Sequence, residues 1–409
     1  MPSPVPVVVR RLRGLLGPDP AATRQSLVAL SLGLAASLVA GLTLGGINQT
    51  LERLPGLLVL VPAAIGLRGT IFGALGSRLG TSIHAGTYRS TIRGDGVLGQ
   101  NLLAAGVLTL VTSVVLGGMA KLVAEGFGVA DTISVAEYVT ISVLGGLLSS
   151  IVLAVLTVTL ASTAARRDWD PDNVMAPLVT ASGDMVTLPA LYLASLVVTN
   201  TVVVDVVTVL AVVVAAVAVT WALRSGLALL TEVLRESLPI VVVAGLLSLV
   251  AGLLLEKQVR SLISFPALLA LVPPFLASAG ALGGIVSNRL TSKLHLGVIE
   301  PTAIPGAGAR ADIVLAYTLA LPVFALSSVV ADLAALIADL DSPGPLTMLA
   351  VALTGGALAT TFAMAVAYWS AVASYRVGID PDNVGIPLVT SSIDLVGSFS
   401  FILAVLVFV

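Results

Sequence analysis

The sequence predicts an all-α polytopic membrane protein, and three observations predict it. Hydrophobic residues fill 57% of the 409 positions and charged residues only 10%, against about 25% charged in an average soluble domain. The mean hydropathy is +1.08. Charge-poor runs long enough to cross a bilayer, about 20 residues each, recur along the chain. The 39 glycines and 21 prolines, many inside apolar runs, suit membrane helices, where neighbours re-satisfy freed backbone groups. The same figures exclude a soluble globular enzyme and a disordered chain. A net charge of −2 supplies no basic field for nucleic acid. The absence of cysteine removes disulfides, thiolate metal sites and cysteine nucleophiles.

Eleven spans are expected, at roughly 27–47, 55–83, 97–120, 138–164, 174–200, 203–223, 237–255, 262–291, 313–336, 346–374 and 384–408. Charges bound each of them. The first lies between Arg24 and Arg53, the second between Arg53 and Arg89, the third between Arg93 and Lys121, and the fourth between Lys121 and Arg166. The fifth follows the turn Asp170–Asn173 and the sixth ends at Arg224. The seventh runs from Arg235 to Lys257 and the eighth from Arg260 to Lys293. The ninth follows Arg310, the tenth stops before Arg376, and the last follows Asp380–Asn383. The N-terminal arginines lead into a full-length span without a small-residue cleavage site, so no cleaved signal is expected.

Basic residues set the orientation. With the N-terminus inside, the cytoplasmic segments hold Arg10, Arg11, Arg13, Arg24, Arg89, Arg93, Arg166, Arg167, Arg224, Arg235, Lys293, Arg310 and Arg376. The outer segments hold only Arg53, Lys121, Lys257 and Arg260. The expectation is an N-terminus in the cytoplasm, a C-terminus outside and short loops throughout. A prokaryotic inner membrane is the expected location.

The chain contains an internal repeat. Asp170-Pro171-Asp172-Asn173 recurs as Asp380-Pro381-Asp382-Asn383. After three intervening residues, a shared valine and two that vary, Pro177 to Thr180 and Pro387 to Thr390 both read Pro-Leu-Val-Thr, and an aspartate follows each, Asp184 and Asp394. Upstream, Val61-Pro62 pairs with Val272-Pro273, Gly69 with Gly280, Gly73 with Gly284, Arg78-Leu79 with Arg289-Leu290, and His84 with His295. The expected organisation is a first five-span repeat over 1–201, a bridging span over 202–224 and a second five-span repeat over 225–409. Five spans are odd, so direct fusion would invert the second copy. The extra span returns the chain to its starting side, and the two copies run parallel about a pseudo-two-fold axis along the membrane normal.

The paired aspartates carry the chemistry. A carboxylate at a membrane helix centre costs roughly 2.5–3.5 kcal/mol on insertion scales. Pro177, Thr180 and Asp184 share one helical face, as do Pro387, Thr390 and Asp394. If each helix reaches back to its Asp-Pro turn, the prolines free the carbonyls of Asn173 and Asn383. Carboxylate, hydroxyl and carbonyl are hard oxygen ligands, and two carboxylates across an axis balance a divalent cation. Mg²⁺ keeps several of its waters and takes one or two carboxylates, so such a site suits it. Oxygen chemistry alone does not separate it from Mn²⁺, Ca²⁺ or Co²⁺. The alternative for these aspartates is a helix-packing hydrogen bond.

Asp170, Asp172, Asp380 and Asp382 read first as helix N-caps, and also as an acidic ring concentrating cations at a cytoplasmic mouth. The glycines of the second and eighth spans read as close-packing positions. Gly69 and Gly280 are also pore-lining candidates. Arg78 and Arg289 are expected to snorkel or to pair with the acidic mouth. His84 and His295 are expected at the same surface, with a gating role open. Arg68 has no counterpart in the second half and no assigned role.

The Asp-Pro-Asp-Asn-Val-x-x-Pro-Leu-Val-Thr-x-x-x-Asp element, with the second span ending in Ser77-Arg78-Leu79, resembles the membrane domain of MgtE-type magnesium transporters. Two such units joined by a bridging span resemble the solute carrier 41 arrangement. The resemblance covers nearly the whole chain. It implies a Mg²⁺ pore between two five-span units, lined by their second and fifth spans, with the family's pore aspartate falling on Asp184 and on Asp394. It also implies a monomeric pseudo-dimer where MgtE is a homodimer. The family's cytoplasmic N-domain and CBS modules have no counterpart ahead of the first span. Its usual Gly-Asn in the second span is here Gly69-Thr70 and Gly280-Ala281.

Other classes fit less of the sequence. An intramembrane aspartyl protease needs two different motifs, and this chain has one motif twice. A scaffold leaves the paired acids unexplained. An ion-coupled carrier of a small organic solute is the alternative to a divalent-cation transporter. No enzyme is expected.

Overall fold

The computed structural model describes residues 20–89, 91, 93, 96–167, 171–377 and 386–409, with side chains except those of 20–32, 167, 171–177 and 386–388. The described residues are all-helical, without strands. The helices are α1 (Pro20–Gly46), α2 (Asn48–Arg53), α3 (Leu57–His84), α4 (Val97–Gly126), α5 (Val135–Arg167), α6 (Pro171–Ser195), α7 (Thr201–Arg224), α8 (Ala228–Lys257), α9 (Val259–Ser264), α10 (Pro266–His295), α11 (Ala307–Ile337), α12 (Pro345–Val377) and α13 (Ile386–Phe408). Among the described residues, ten helices are long and apolar enough to cross a membrane. The 27-residue α1 covers the first expected span, and its described apolar part is Gly33–Gly46. The chain is a polytopic all-α membrane protein.

Two elements were not legible as separate helices. The single turns α2 and α9 stand at equivalent places, between the first and second helices of each half. Each breaks a run that hydropathy alone reads as loop or span. Gly56, at φ 91°, makes the left-handed turn into α3, a conformation glycine adopts without a Cβ penalty. In the second half Pro266 opens α10, where a missing N–H costs nothing. At α5 a capping box forms: Ser134 N donates to Glu137 Oε2 at 2.6 Å and Glu137 N donates to Ser134 Oγ at 3.2 Å.

The halves interlock. α3 packs on α6 within its own half and on α8 from the other, while α10 packs on α13 and on α1. The first helix of each half is thus exchanged onto the second helix of the opposite half. Glycine makes this crossing close. Gly41 of α1 faces the Ala270 carbonyl of α10, and Gly252 of α8 faces the Val59 carbonyl of α3; a Cβ on either would overlap that oxygen. Both glycines and both contacted residues stand in corresponding positions of the repeat. One continuous apolar core results, with side chains from both halves.

A polar tie adds to the interlock. Glu256 of α8 is buried, and its Oε1 and Oε2 accept from Gly56 N at 2.8 Å and Leu58 N at 3.1 Å. A carboxylate there satisfies the free N–H groups opening α3 and complements the helix dipole. Its counterpart in the first half is Gly45, so this tie exists on one side only. The bridging α7 lies along α4 and α5. Most of its surface is exposed, with Val206, Val209, Leu210, Val213 and Val217 pointing outward. A helix apolar on every face suits contact with lipid chains.

Candidate functional site

The site forms where α6 and α13 meet the interlock. α6 is continuous from Pro171 to Ser195, so Pro177 lies within it and the Asn173 carbonyl lacks its usual i+4 donor. Thr180 and Asp184 follow one turn apart on the same face. Thr180 rests on α3: a Cβ on Gly69 would sit 3.2 Å from its methyl carbon, and one on Gly73 would sit 3.1 Å from its hydroxyl. A Cβ on Gly183 would lie 3.4 Å from Gly69 N. The small residues of both helices let the backbones approach at the level of Asp184.

Asp394 reaches the same turn of α3 from α13. Its Oδ2 accepts from Ser248 Oγ of α8 at 3.3 Å. A Cβ on Gly66 would lie 3.4 Å from that same Oδ2. Asp184 and Asp394 are both half-buried, and they stand within electrostatic reach of each other. Within one turn of α3, Gly66 thus meets the aspartate of one half and Gly69 the aspartate-bearing helix of the other. Among the described residues no group of three or more acidic, histidine or cysteine side chains gathers. The arrangement is two carboxylates with the hydroxyls of Ser248 and Thr180 on the same stretch of the bundle. That donor set is sparse, and it suits a cation that keeps much of its water.

The two halves are not identical here. Ser37, the counterpart of Ser248, is buried and donates to the Gly33 and Leu34 carbonyls of its own helix at 2.9 and 3.1 Å. Ala277 stands where the first half has Gly66. Gly280 and Gly284 have no described atom within 4 Å of an added Cβ. On the α10–α13 seam the close approaches fall elsewhere, at Gly283 against Ile393 and at Gly397 against Leu276. Thr390 is half-buried on α13, one turn ahead of Asp394.

Of the sequence candidates, Asp184, Asp394, Thr180 and Gly69 gather about one stretch of α3, while Gly280 faces no described atom and Thr390 lies on α13. Asp170, Asp380, Asp382 and Asn383 lie outside the described residues, as do the side chains of Asp172, Asn173, Pro177 and Pro387. The acidic-mouth side chains expected to face Arg78 and Arg289 lie outside the described residues, and other partners are seen. Arg78 Nε donates to Asn101 Oδ1 at 2.7 Å, and Arg289 Nε to Asp312 Oδ1 at 2.8 Å, with Lys293 on the other oxygen. The described partners are thus residues of the third helix of each half, placed at equivalent positions where they face the arginines directly. His84 and His295 are exposed at their helix ends, and the His295 ring meets the Tyr375 ring edge-on at 5.4 Å.

Ser248 was missed by sequence reasoning. A signal existed: Ser-Leu-Val-Ala-Gly-Leu stands at both 37–42 and 248–253. It extends the repeat upstream and contains both Ser248 and the crossing glycines.

A family model described as MgtE, divalent cation transporter, matches the chain twice, over residues 61–194 and 272–404. Among curated proteins, solute carrier family 41 member 3 of Rattus norvegicus is 26% identical over 270 residues, covering 62% of this chain and 57% of that protein. Solute carrier family 41 member 2 of Homo sapiens is 25% identical over 378 residues, covering 86% of this chain and 64% of that protein. The Xenopus laevis member 2 is 26% identical over 376 residues, covering 85% and 64%. The chain spans between about half and two thirds of the length of these relatives. No solved structure matches it.

Proposed function

The chain belongs to the MgtE family of divalent cation transporters, and from that premise we propose that it carries Mg²⁺ across a membrane with Asp184 and Asp394 as a shared ion site. The observation that carries this reading is that the two aspartate-bearing helices, far apart in sequence, meet one glycine-faced turn of α3, Asp394 at Gly66 and Gly183, the neighbour of Asp184, at Gly69. Two carboxylates balance one divalent charge, and hydroxyl, carbonyl and water oxygens complete the shell. On this reading the repeats 1–201 and 225–409 run parallel, with 202–224 as the bridging span and the ion path between them. The N-terminus is cytoplasmic and the C-terminus external, in a cell inner membrane, and one chain acts as a pseudo-dimer. A negative interior draws the ion inward: each elementary charge gains about 2.3 kcal/mol per 100 mV, and a divalent ion about twice that.

The test is Mg²⁺ uptake into proteoliposomes holding a Mg²⁺ indicator, at zero and at imposed inside-negative potential. Uptake that rises with the potential supports the reading. No Mg²⁺, Mn²⁺, Ca²⁺ or Co²⁺ uptake by folded protein, with or without a potential, overturns it.

Ser248 orients one of the two ligands. Ser248→Ala is expected to raise the KM for Mg²⁺ by roughly three- to tenfold, in keeping with a hydrogen bond to a charged group at about 1.5–3 kcal/mol, discounted for its length. Ser37→Ala, whose hydroxyl serves its own helix, is the matched comparison and is expected to leave KM unchanged. Equal KM values in the two variants would remove Ser248 from the site.

A further inference from the structure

Among the described residues, Arg68 is the one arginine buried in the bundle core, and the ion site leaves it unused. It is 1% exposed. Its Nη2 donates to Ser113 Oγ of α4 at 2.7 Å, while Nε and Nη1 are buried without a protein partner. Room for it is made by Gly146 of α5, where a Cβ would overlap Nη2. Burying a guanidinium this way is costly, and the second half manages without it, having Ala279 at the corresponding place.

The position of Arg68 identifies what its charge acts on. It belongs to the turn of α3 whose Gly66 faces Asp394 and whose Gly69 faces Gly183. Its side chain leaves the opposite face, toward α4 and α5. Every other acidic side chain on the packed helices is remote. Glu125 lies about 18 Å along α4 from Ser113, and Glu137 about 14 Å along α5 from Gly146. Glu256 meets α3 at Gly56 and Leu58, about 15 Å from Arg68 along the axis. Glu236 faces Arg78, about 15 Å the other way, and Glu232 lies one turn beyond it. Asp172 opens α6 about 18 Å from Asp184. The carboxylates at the level of Arg68 are therefore Asp184 and Asp394.

We propose that Arg68 is the fixed counter-charge of the ion site, setting how tightly the paired aspartates hold a divalent cation. The proposal rests on the reading of Asp184 and Asp394 as ion ligands. Two aspartates alone would bind a divalent ion in a low-dielectric layer strongly enough to retard its release. A permanent positive charge one helix width away weakens that hold without occupying the site. It also offsets the mutual repulsion of the empty carboxylates. Across about 10 Å at an effective dielectric near 20, the effect is on the order of tenfold in affinity per unit of ion charge. Arg68 is a positioning charge and does not touch the ion.

The test is equilibrium Mg²⁺ binding by calorimetry on purified protein, with uptake kinetics in proteoliposomes beside it. Arg68→Gln is expected to lower the Mg²⁺ Kd at least tenfold and to lower KM and Vmax together. Arg68→Lys, keeping the charge, is expected to stay near wild type. Ser113→Asp keeps Arg68 and places a carboxylate against its guanidinium, and is expected to tighten binding as Arg68→Gln does. This variant decides the matter if Arg68→Gln does not fold, because it pairs a charge instead of removing one. An unchanged or weaker Mg²⁺ Kd in folded Ser113→Asp or Arg68→Gln overturns the proposal. A wild type that neither binds nor transports divalent ions would instead overturn the function on which it rests.

Discussion

Replacing Asp184 and Asp394 together by asparagine is expected to abolish Mg²⁺ flux while leaving the protein folded and at least as heat-stable as wild type. Asparagine keeps the shape of aspartate and can still accept from Ser248, so packing at Gly66 and Gly183 is preserved. What disappears is charge. A unit charge pair at 4 Å contributes about 4 kcal/mol at an effective dielectric near 20, and a divalent ion doubles the gain at each carboxylate. Losing both exceeds any compensation from neutral oxygens, and flux should fall at least a hundredfold. The fold loses two half-buried like charges that repel, which is why stability should not suffer. The single variants should differ, because among the described residues only Asp394 accepts a hydrogen bond from a serine, Ser248 of its own half. Indicator-loaded proteoliposomes measure the flux, and thermal unfolding of the purified variants checks the fold. Full flux from a folded double variant would remove both residues from the site.

The second large effect concerns assembly. Gly41→Leu and Gly252→Leu are each expected to prevent recovery of monodisperse protein. Overpacking a core ordinarily costs about 1–3 kcal/mol, because side chains can shift. Here the obstacle is a backbone carbonyl in a helix, at Ala270 or Val59, and relief requires the crossing helices to separate. The contact between the halves is the one that would part. Gly33→Leu provides the comparison, since a Cβ there meets no described atom within 4 Å and wild-type behaviour is expected. Size-exclusion profiles after detergent extraction read all three. Monodisperse Gly41→Leu and Gly252→Leu would show that the crossing is not a close one.

Much of this protein was legible without coordinates. Transfer cost into hydrocarbon depends on composition and length alone, so hydropathy located the membrane helices to within a turn or so at most ends. A repeated motif with a nearly constant offset marked two copies of one unit, and the family model matches both. Two acidic residues at equivalent depths stood out because each is expensive there. The short helices α2 and α9 were hidden because a single helical turn leaves no periodic signal in an apolar run. Ser248 was hidden because a lone serine in a membrane helix commonly bonds its own carbonyls, as Ser37 does. Only the fold distinguishes the two.

The choice of partners lay wholly in the tertiary structure. In lipid every face of these helices is apolar, so hydrophobic burial does not discriminate among neighbours, and the fit of small residues against backbone decides instead. That fit carries α1 onto α10 and α8 onto α3, brings Gly66 and Gly69 beneath the two aspartates, and turns Arg68 away from them into α4 and α5. The sequence by itself determined that the chain is a doubled membrane-helix protein with an aspartate at matching positions of the two copies. Which helices those acids face, and which charge stands behind them, follows from side-chain volumes meeting at particular crossings, and only the packed molecule specifies where those crossings are.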